Sequence, residues 1–387
     1  MSWENARDYV SVEMRRRIRQ FGYEGADIID LTVGDPDVSP PDWLTDQLIA
    51  WMADKSAHRY PTDESLGCRT FREAVADFYY WRFGVHLDVE REVLLLKEAK
   101  EGALYLSLSL LEKGDVAIVC DPCYPTFRTN TTAVGANVYS LSLGSDGHSI
   151  PDLSSIPVHV WEKTKAVFIN FPCNPTGLSA PLSFYQELVE LAFRYGFIVV
   201  NDNVYSELYY GALPPCSLLE VPDAREVAVE IHSLSKMFSV CGWRIGMLVG
   251  NAEVLRRVLR IKQMADAGVF MPFQLAAAHA LRNGEAYLGQ LRSMYGNRRD
   301  LLVQCLRSCG FQVRPPEAGM FVWAEIPLAE DSEQFCEELL AGSGVACVPG
   351  SRYSQNGRKH VRFSLSASDH AIREACNRIV KFVHLHR

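Results

Sequence analysis

Apolar runs of strand length punctuate the middle of the chain: EVLLLK (92–97), DVAIVCDP (115–122), AVFINFP (166–172), FIVVNDNVY (197–205), VAVEIHS (227–233) and RIGMLVG (244–250). Runs this continuous, without a polar residue at every second position, suit strands buried on both faces. Between them, LSFYQELVELAFRYG (182–196) repeats leucine and aromatic residues at helical spacing and closes on Gly196, a candidate C-cap. Apolar strands alternating with amphipathic helices predict an α/β architecture around a mostly parallel sheet. Beyond residue 250 the pattern changes. Residues 251–309 read as helices, one of them carrying YLGQLRSMYGNRRDLLVQCLRS. MFVWAEI (320–326), GVACVPG (344–350) and HVRFSLS (360–366) then read as short strands before a C-terminal helix, a smaller α+β unit. No internal repeat, low-complexity tract or long linker interrupts the chain.

A length of 387 residues allows two or three domains, or one large domain with a smaller partner, and a sizeable core. The net charge of −8 argues against a general basic surface, so nucleic acid is not an expected partner, although a local phosphate pocket is compatible with it. The N-terminal MSWENARDYVSVEMRRRIRQ is too charged for a secretory signal, and GVFMPFQLAAAHAL is too short and too polar to span a membrane. Eleven scattered cysteines, an odd number, fit a reducing cytoplasm better than a disulfide scaffold. Cys120 and Cys123 form a C-x-x-C, but CDPCYP carries two prolines and ends an apolar strand, so a structural loop is expected there. The histidines show no metal-ligand spacing such as H-E-x-x-H, and His232 reads as a packed residue.

Candidate chemistry gathers where the apolar runs end. In an open α/β sheet, ligands sit at the carboxyl ends of the strands. Asp202 closes FIVVND, Asn174 lies in NFPCNPTG, Tyr124 follows IVCDP, and Ser233 and Lys236 follow VEIHS. A single polar strand end means little, but several converging ones mark a site.

The motifs LTVGDPD (31–37), RYPTDESLGCRTFREAVADFY (59–79), AKEGAL (99–104), DPCYPTF (121–127), NFPCNPTG (170–177), NDNVY (201–205), SLSKMFSVCGWRIG (233–246) and VRFSLS (361–366) occur in the order and spacing of one family. The chain resembles a class I/II aminotransferase, a pyridoxal 5'-phosphate enzyme of fold type I, nearly end to end. KEG at 100–102 is similar to the subgroup that includes LL-diaminopimelate aminotransferases. The resemblance implies a large domain (46–280) with a mostly parallel seven-stranded sheet, a C-terminal small domain (281–387) and an N-terminal segment (1–45) joining the small one. It also implies that Lys236 forms the Schiff base with the cofactor and shuttles the substrate proton. Asp202 would face the pyridine nitrogen and keep it protonated, making the ring an electron sink. Tyr205 and Asn174 would hydrogen-bond the cofactor's O3', and Tyr124 would stack on its ring.

The phosphate would lie on the backbone N–H groups of Ala99 and Lys100 at a helix N-terminus, with Ser233 and Arg244 completing the cup. Tyr60 would reach the phosphate of a neighbouring subunit, which implies a homodimer with shared active sites. Arg362 would grip the substrate α-carboxylate bidentately, and Gly34 would offer it a backbone N–H at close range. One departure stands out: many relatives have glycine where this chain has Glu98, at the mouth of the phosphate cup. A carboxylate there costs energy unless it turns to solvent or meets a cation; a plain surface residue is the expected reading, and an altered geometry or substrate charge is the alternative.

The implied reaction is ping-pong transfer of an α-amino group from an L-amino acid to a 2-oxo acid, in the cytoplasm. The same residues would serve a lyase, cyclase or oxidase, because all share the carbanion. A regulatory protein retaining an aminotransferase-like domain is the remaining alternative. No second arginine is assigned to a dicarboxylic substrate, and the side chain of the substrate is left open.

Overall fold

The computed structural model describes residues 10–23, 27–61, 64–327 and 331–385; the charged residues 1–9, part of the leader argument, lie outside them. Strand β1 (Ile29–Asp30) is short and belongs with the C-terminal part of the chain. The main sheet is built from β2 (Val93–Leu96), β3 (Val116–Asp121), β4 (Asn137–Ser142), β5 (Thr164–Ile169), β6 (Ile198–Asp202), β7 (Ala228–Ser233) and β8 (Gly246–Gly250). Their order is β2-β8-β7-β6-β5-β3-β4. Only β8 runs against the others, pairing antiparallel with β2 and β7. Every residue of β2, β7 and β8 is buried; β2 and β8 are accordingly apolar on both faces, whereas β7 also buries Glu230, His232 and Ser233. β4 is different. It is an edge strand with a single buried residue, so its sequence NVYSLS has no apolar run to read.

The first helices are α1 (Val10–Tyr23), α2 (Asp42–Met52), α3 (Arg69–Phe83) and α4 (Ala99–Leu110). The helix expected over 182–196 spans Leu182–Tyr195, and Gly196 caps it in the left-handed region at φ 75°. Residues beyond 250 form helices Ala252–Ala265, Met271–Asn283 and Glu285–Ser308.

The small domain holds an antiparallel sheet of β9 (Gln312–Val313), β10 (Phe321–Glu325), β12 (Val348–Pro349) and β13 (His360–Ser364), ordered β12-β13-β10-β9. GVACVPG departs from expectation: it is two strands in two sheets, β11 (Val345–Ala346) pairing with β1, and β12 pairing with β13. Helix Asp369–Leu385 closes the chain.

Among the described residues two large buried cores result, with a small third cluster of Trp323, Val348 and Tyr353. The larger joins the faces of the main sheet to its helices, from Leu44 to Leu288. The second packs β10 and β13 against the helices of the small domain, and also takes in Val204, Tyr205 and Leu208. The segment leaving β6 is therefore anchored in the small-domain core, and the carboxyl end of β6 sits where the two cores meet. Among the described residues no helix is long and apolar enough to cross a membrane.

Candidate active site

A cavity of about 730 Å³ opens at the carboxyl ends of β5, β6 and β7. Gly34, Ala99, Lys100, Tyr124, Asn174, Asp202, Tyr205, Ser233, Lys236, Arg244 and Arg362 all line it, along with Glu98. Tyr60 does not; it lies on the chain's surface, 85% exposed.

The floor is stitched by asparagines. The Asn170 amide donates to the Asp202 carbonyl at 2.8 Å and its oxygen accepts from the Asn174 N–H at 2.9 Å. Asn201 exchanges hydrogen bonds with the Phe171 backbone, tying β5 to β6. Asp202 is thereby held rigid and buried. Among the described residues its Oδ1 has no hydrogen-bond partner, and burial pushes its pKa from 3.8 up to about 7, opposed by the Val204 N–H. A buried carboxylate oxygen aimed into a cavity without a partner is what a protonated ring nitrogen would satisfy. The residues present thus fit pyridoxal phosphate.

Lys236 sits in the single helical turn Leu234–Met237 that follows β7 directly, its start capped by Ser233, whose Oγ accepts from the Ser235 N–H at 3.2 Å. The ammonium donates to the Gly34 carbonyl and, at 3.2 Å, to the Cys241 sulfur. Gly34 was expected to present its N–H to substrate; its carbonyl is the group that faces Lys236. Burial raises the Cys241 thiol pKa, with Lys236 acting in the opposite direction. Tyr205 is buried and its phenol is pushed well above the usual range by desolvation, so it stays protonated.

Arg362, on β13, is buried, and its Nη1 donates to Asn174 Oδ1 at 3.0 Å while Nη2 donates to the Thr32 carbonyl. Its Nε has no hydrogen-bond partner among the described residues. The guanidinium lies 3.8 Å from the centre of the Phe321 ring and 5.0 Å from that of Tyr353, and Phe321 meets Tyr205 edge-on at 5.9 Å. Phe321, Tyr353, Thr32 and Cys241 escaped the sequence reading. Phe321 was visible only as part of a strand, and nothing in its neighbours distinguishes it from core.

At the other end of the cavity, α4 begins at Ala99 with Glu98 as its N-cap residue in an extended conformation. The Glu98 carboxylate pairs with Arg244, which corrects the expectation of a plain surface residue. Arg244, whose backbone lies in the left-handed region at φ 55°, also donates through Nη1 to the Cys241 carbonyl. His232 faces away from the cavity's chemistry: it is fully buried, accepts or donates at 3.0 Å with Ser206, and burial drops its pKa to about 3. Cys120 and Cys123 are buried thiols with pKa values raised by burial, in keeping with a structural role.

A parallel α/β sheet with a lysine, an aspartate and an arginine converging at its carboxyl edge defines a class. The chain matches the aminotransferase class I and II family over residues 26–379 and belongs to it. It is a fold-type I, pyridoxal-phosphate-dependent aminotransferase. It is similar to LL-diaminopimelate aminotransferase of Oleidesulfovibrio alaskensis, 37% identical over 96% of this chain and 95% of the relative. The enzyme of that name from Moorella thermoacetica is 38% identical over 96% and 95%. Among solved structures, substrate-bound BacF from Bacillus subtilis superimposes with a TM-score of 0.93 and 31% identity over 97% of this chain and 95% of that one. A Thermus thermophilus aspartate aminotransferase double mutant gives 0.90 and 26% over 98% of each.

Proposed function

We propose that Lys236, Asp202 and Arg362 carry out amino transfer from an L-amino acid with a second charged end, LL-diaminopimelate being the first donor to test. The observation that supports this most is the buried, unpartnered Asp202 Oδ1 in one cavity with Lys236 and the unpartnered Arg362 Nε.

When bound, pyridoxal phosphate supplies an aldehyde that captures amines and a ring that accepts the electron pair freed at the substrate α-carbon. Lys236 supplies the amine that anchors it, and then carries the proton taken from that carbon. Asp202 holds a proton on the ring nitrogen, its negative charge kept close by a floor that cannot relax. Arg362 takes the α-carboxylate, with Phe321 and Tyr353 walling its guanidinium against water. Tyr205 and Asn174 would donate to the ring oxygen, Tyr124 would cover the ring, and the backbone of Ala99 and Lys100 with Ser233 and Arg244 would hold the phosphate. Arg15 of α1 also reaches the cavity wall and supplies a cation for a distal carboxylate.

The same reading takes residues 46–280 and 281–387 as the two domains, a homodimer as the working unit and the cytoplasm as its place, consistent with eleven cysteines none of which is in a disulfide. The test of function is a single turnover. Holoenzyme mixed with each candidate donor should convert its cofactor to the amine form, with LL-diaminopimelate the fastest, and a 2-oxo acid should restore it. Sustained product formation without any 2-oxo acid would refute it.

A further inference from the structure

Glu98 lines the cavity yet has no part in the chemistry above. It sits at the start of α4, where the first N–H groups of a helix have no intrahelical partner and favour an anion. Its carboxylate makes no capping bond to those groups and turns instead to Arg244. The space around it is tight. A Cβ on Gly246 would come within 2.7 Å of the His232 carbonyl, 3.5 Å of the Ala99 nitrogen and 3.6 Å of the Glu98 carbonyl carbon. β8 therefore presses the helix start and Arg244 into one small region, and the carboxylate shares it.

We propose that Glu98 is a built-in competitor for the cofactor's phosphate. This rests on the reading of α4 and Arg244 as the phosphate cup. A phosphate that engages Arg244 must either displace the Glu98 carboxylate or lie beside it, and both alternatives weaken its hold. Glu98 and Arg244 are partly exposed, with side chains 35% and 47% accessible, so solvent screens the repulsion. A charge pair a few ångströms apart at an intermediate dielectric then amounts to about a tenfold effect on affinity. The consequence falls on the stage of turnover at which Lys236 is free and only non-covalent contacts, the phosphate cup among them, retain the cofactor. In this chain the amine form should leave more readily than from the same cup without Glu98.

The probe is pyridoxamine 5'-phosphate, which makes no covalent bond to Lys236 and so reports the cup directly. Protein stripped of cofactor is titrated by fluorescence quenching as wild type, Glu98→Gln, Glu98→Gly and Arg244→Gln. Both Glu98 variants should bind about tenfold more tightly, and Arg244→Gln about tenfold more weakly. Equal or weaker binding by both Glu98 variants, with Arg244→Gln still impaired, would overturn the proposal and make Glu98 a positioning residue for Arg244. Unchanged binding by Arg244→Gln would remove the phosphate cup itself, and the competitor with it.

Discussion

Asp202 shows how a functional requirement is written into one side chain as a cost. Its carboxyl is buried, one oxygen lacks a partner, and its pKa stands near 7 instead of 3.8. In protein stripped of cofactor, the folded state therefore holds this proton more tightly than the unfolded chain does. The associated stability is complete below pH 4 and is lost as pH rises through about 7, for a total of about 4 kcal/mol at most. Asp202→Asn removes the titrating group and should abolish that part of the pH dependence. Urea unfolding of both cofactor-free proteins at pH 5 and pH 8 should show wild type losing ground to the variant at the higher pH. A gap independent of pH would mean that Asp202 ionises normally. The same substitution should slow amino transfer by roughly a hundredfold or more, since the group is preorganised electrostatics.

At the scale of elements, Gly34 connects the loop after β1 to Arg362, the proposed substrate arginine. A Cβ at Gly34 would come within 2.5 Å of the far end of the Phe321 ring. That ring is confined between the Arg362 guanidinium and the edge of Tyr205, so it has little room to yield. Gly34→Ala should push Phe321 into Arg362 and raise KM for the amino donor by roughly tenfold, as a mispositioned charge-assisted contact would. Pyridoxamine phosphate affinity should be unchanged, because the phosphate cup is at the far end of the cavity. A variant with normal KM would show that the ring relaxes freely. The same elements explain what could be read in advance. Strands buried on both faces announce themselves by composition, as β2 and β8 do. Edge strand β4 does not, and the split of GVACVPG into β11 and β12 depends on partners more than 300 residues away in one case and on β13 in the other. Lys236, Asp202 and Arg362 were legible because they sit in ordered motifs. Phe321 and Tyr353 were not, since their roles come only from packing against Arg362, and the pairing of Glu98 with Arg244 requires β8 to be brought against α4.

On the scale of the whole molecule, Tyr60 is the residue that a single chain leaves unexplained. It is 85% exposed and outside the cavity, although the family's motif surrounds it. Leu104 and Leu108 on α4 are exposed one helical turn apart, and helix Ala252–Ala265, packed beside α4, presents Met264 at 81% exposure. Apolar side chains on neighbouring helices near the phosphate end suit a second copy of the chain, which would carry its own Tyr60 to this cavity. Light scattering should then give twice 43.5 kDa. The sharper measurement separates the two halves of a shared site. Lys236→Ala should be inactive because Lys236 is the amine proposed to anchor the cofactor, while Lys100, the other lysine lining the cavity, is assigned to the phosphate end. Tyr60→Ala should be impaired at limiting cofactor because a charge-assisted hydrogen bond to the phosphate is gone, worth roughly 1.5–3 kcal/mol. Each chain of a mixed dimer lacks what the other has: the Tyr60→Ala chain keeps Lys236 and receives an intact Tyr60 from its partner. Co-refolding equal amounts should restore about a quarter of the wild-type sites, since half the dimers are mixed and each contains one complete site. No recovery on mixing would place Tyr60 in its own chain's site or in none, and would end the case for a shared active site.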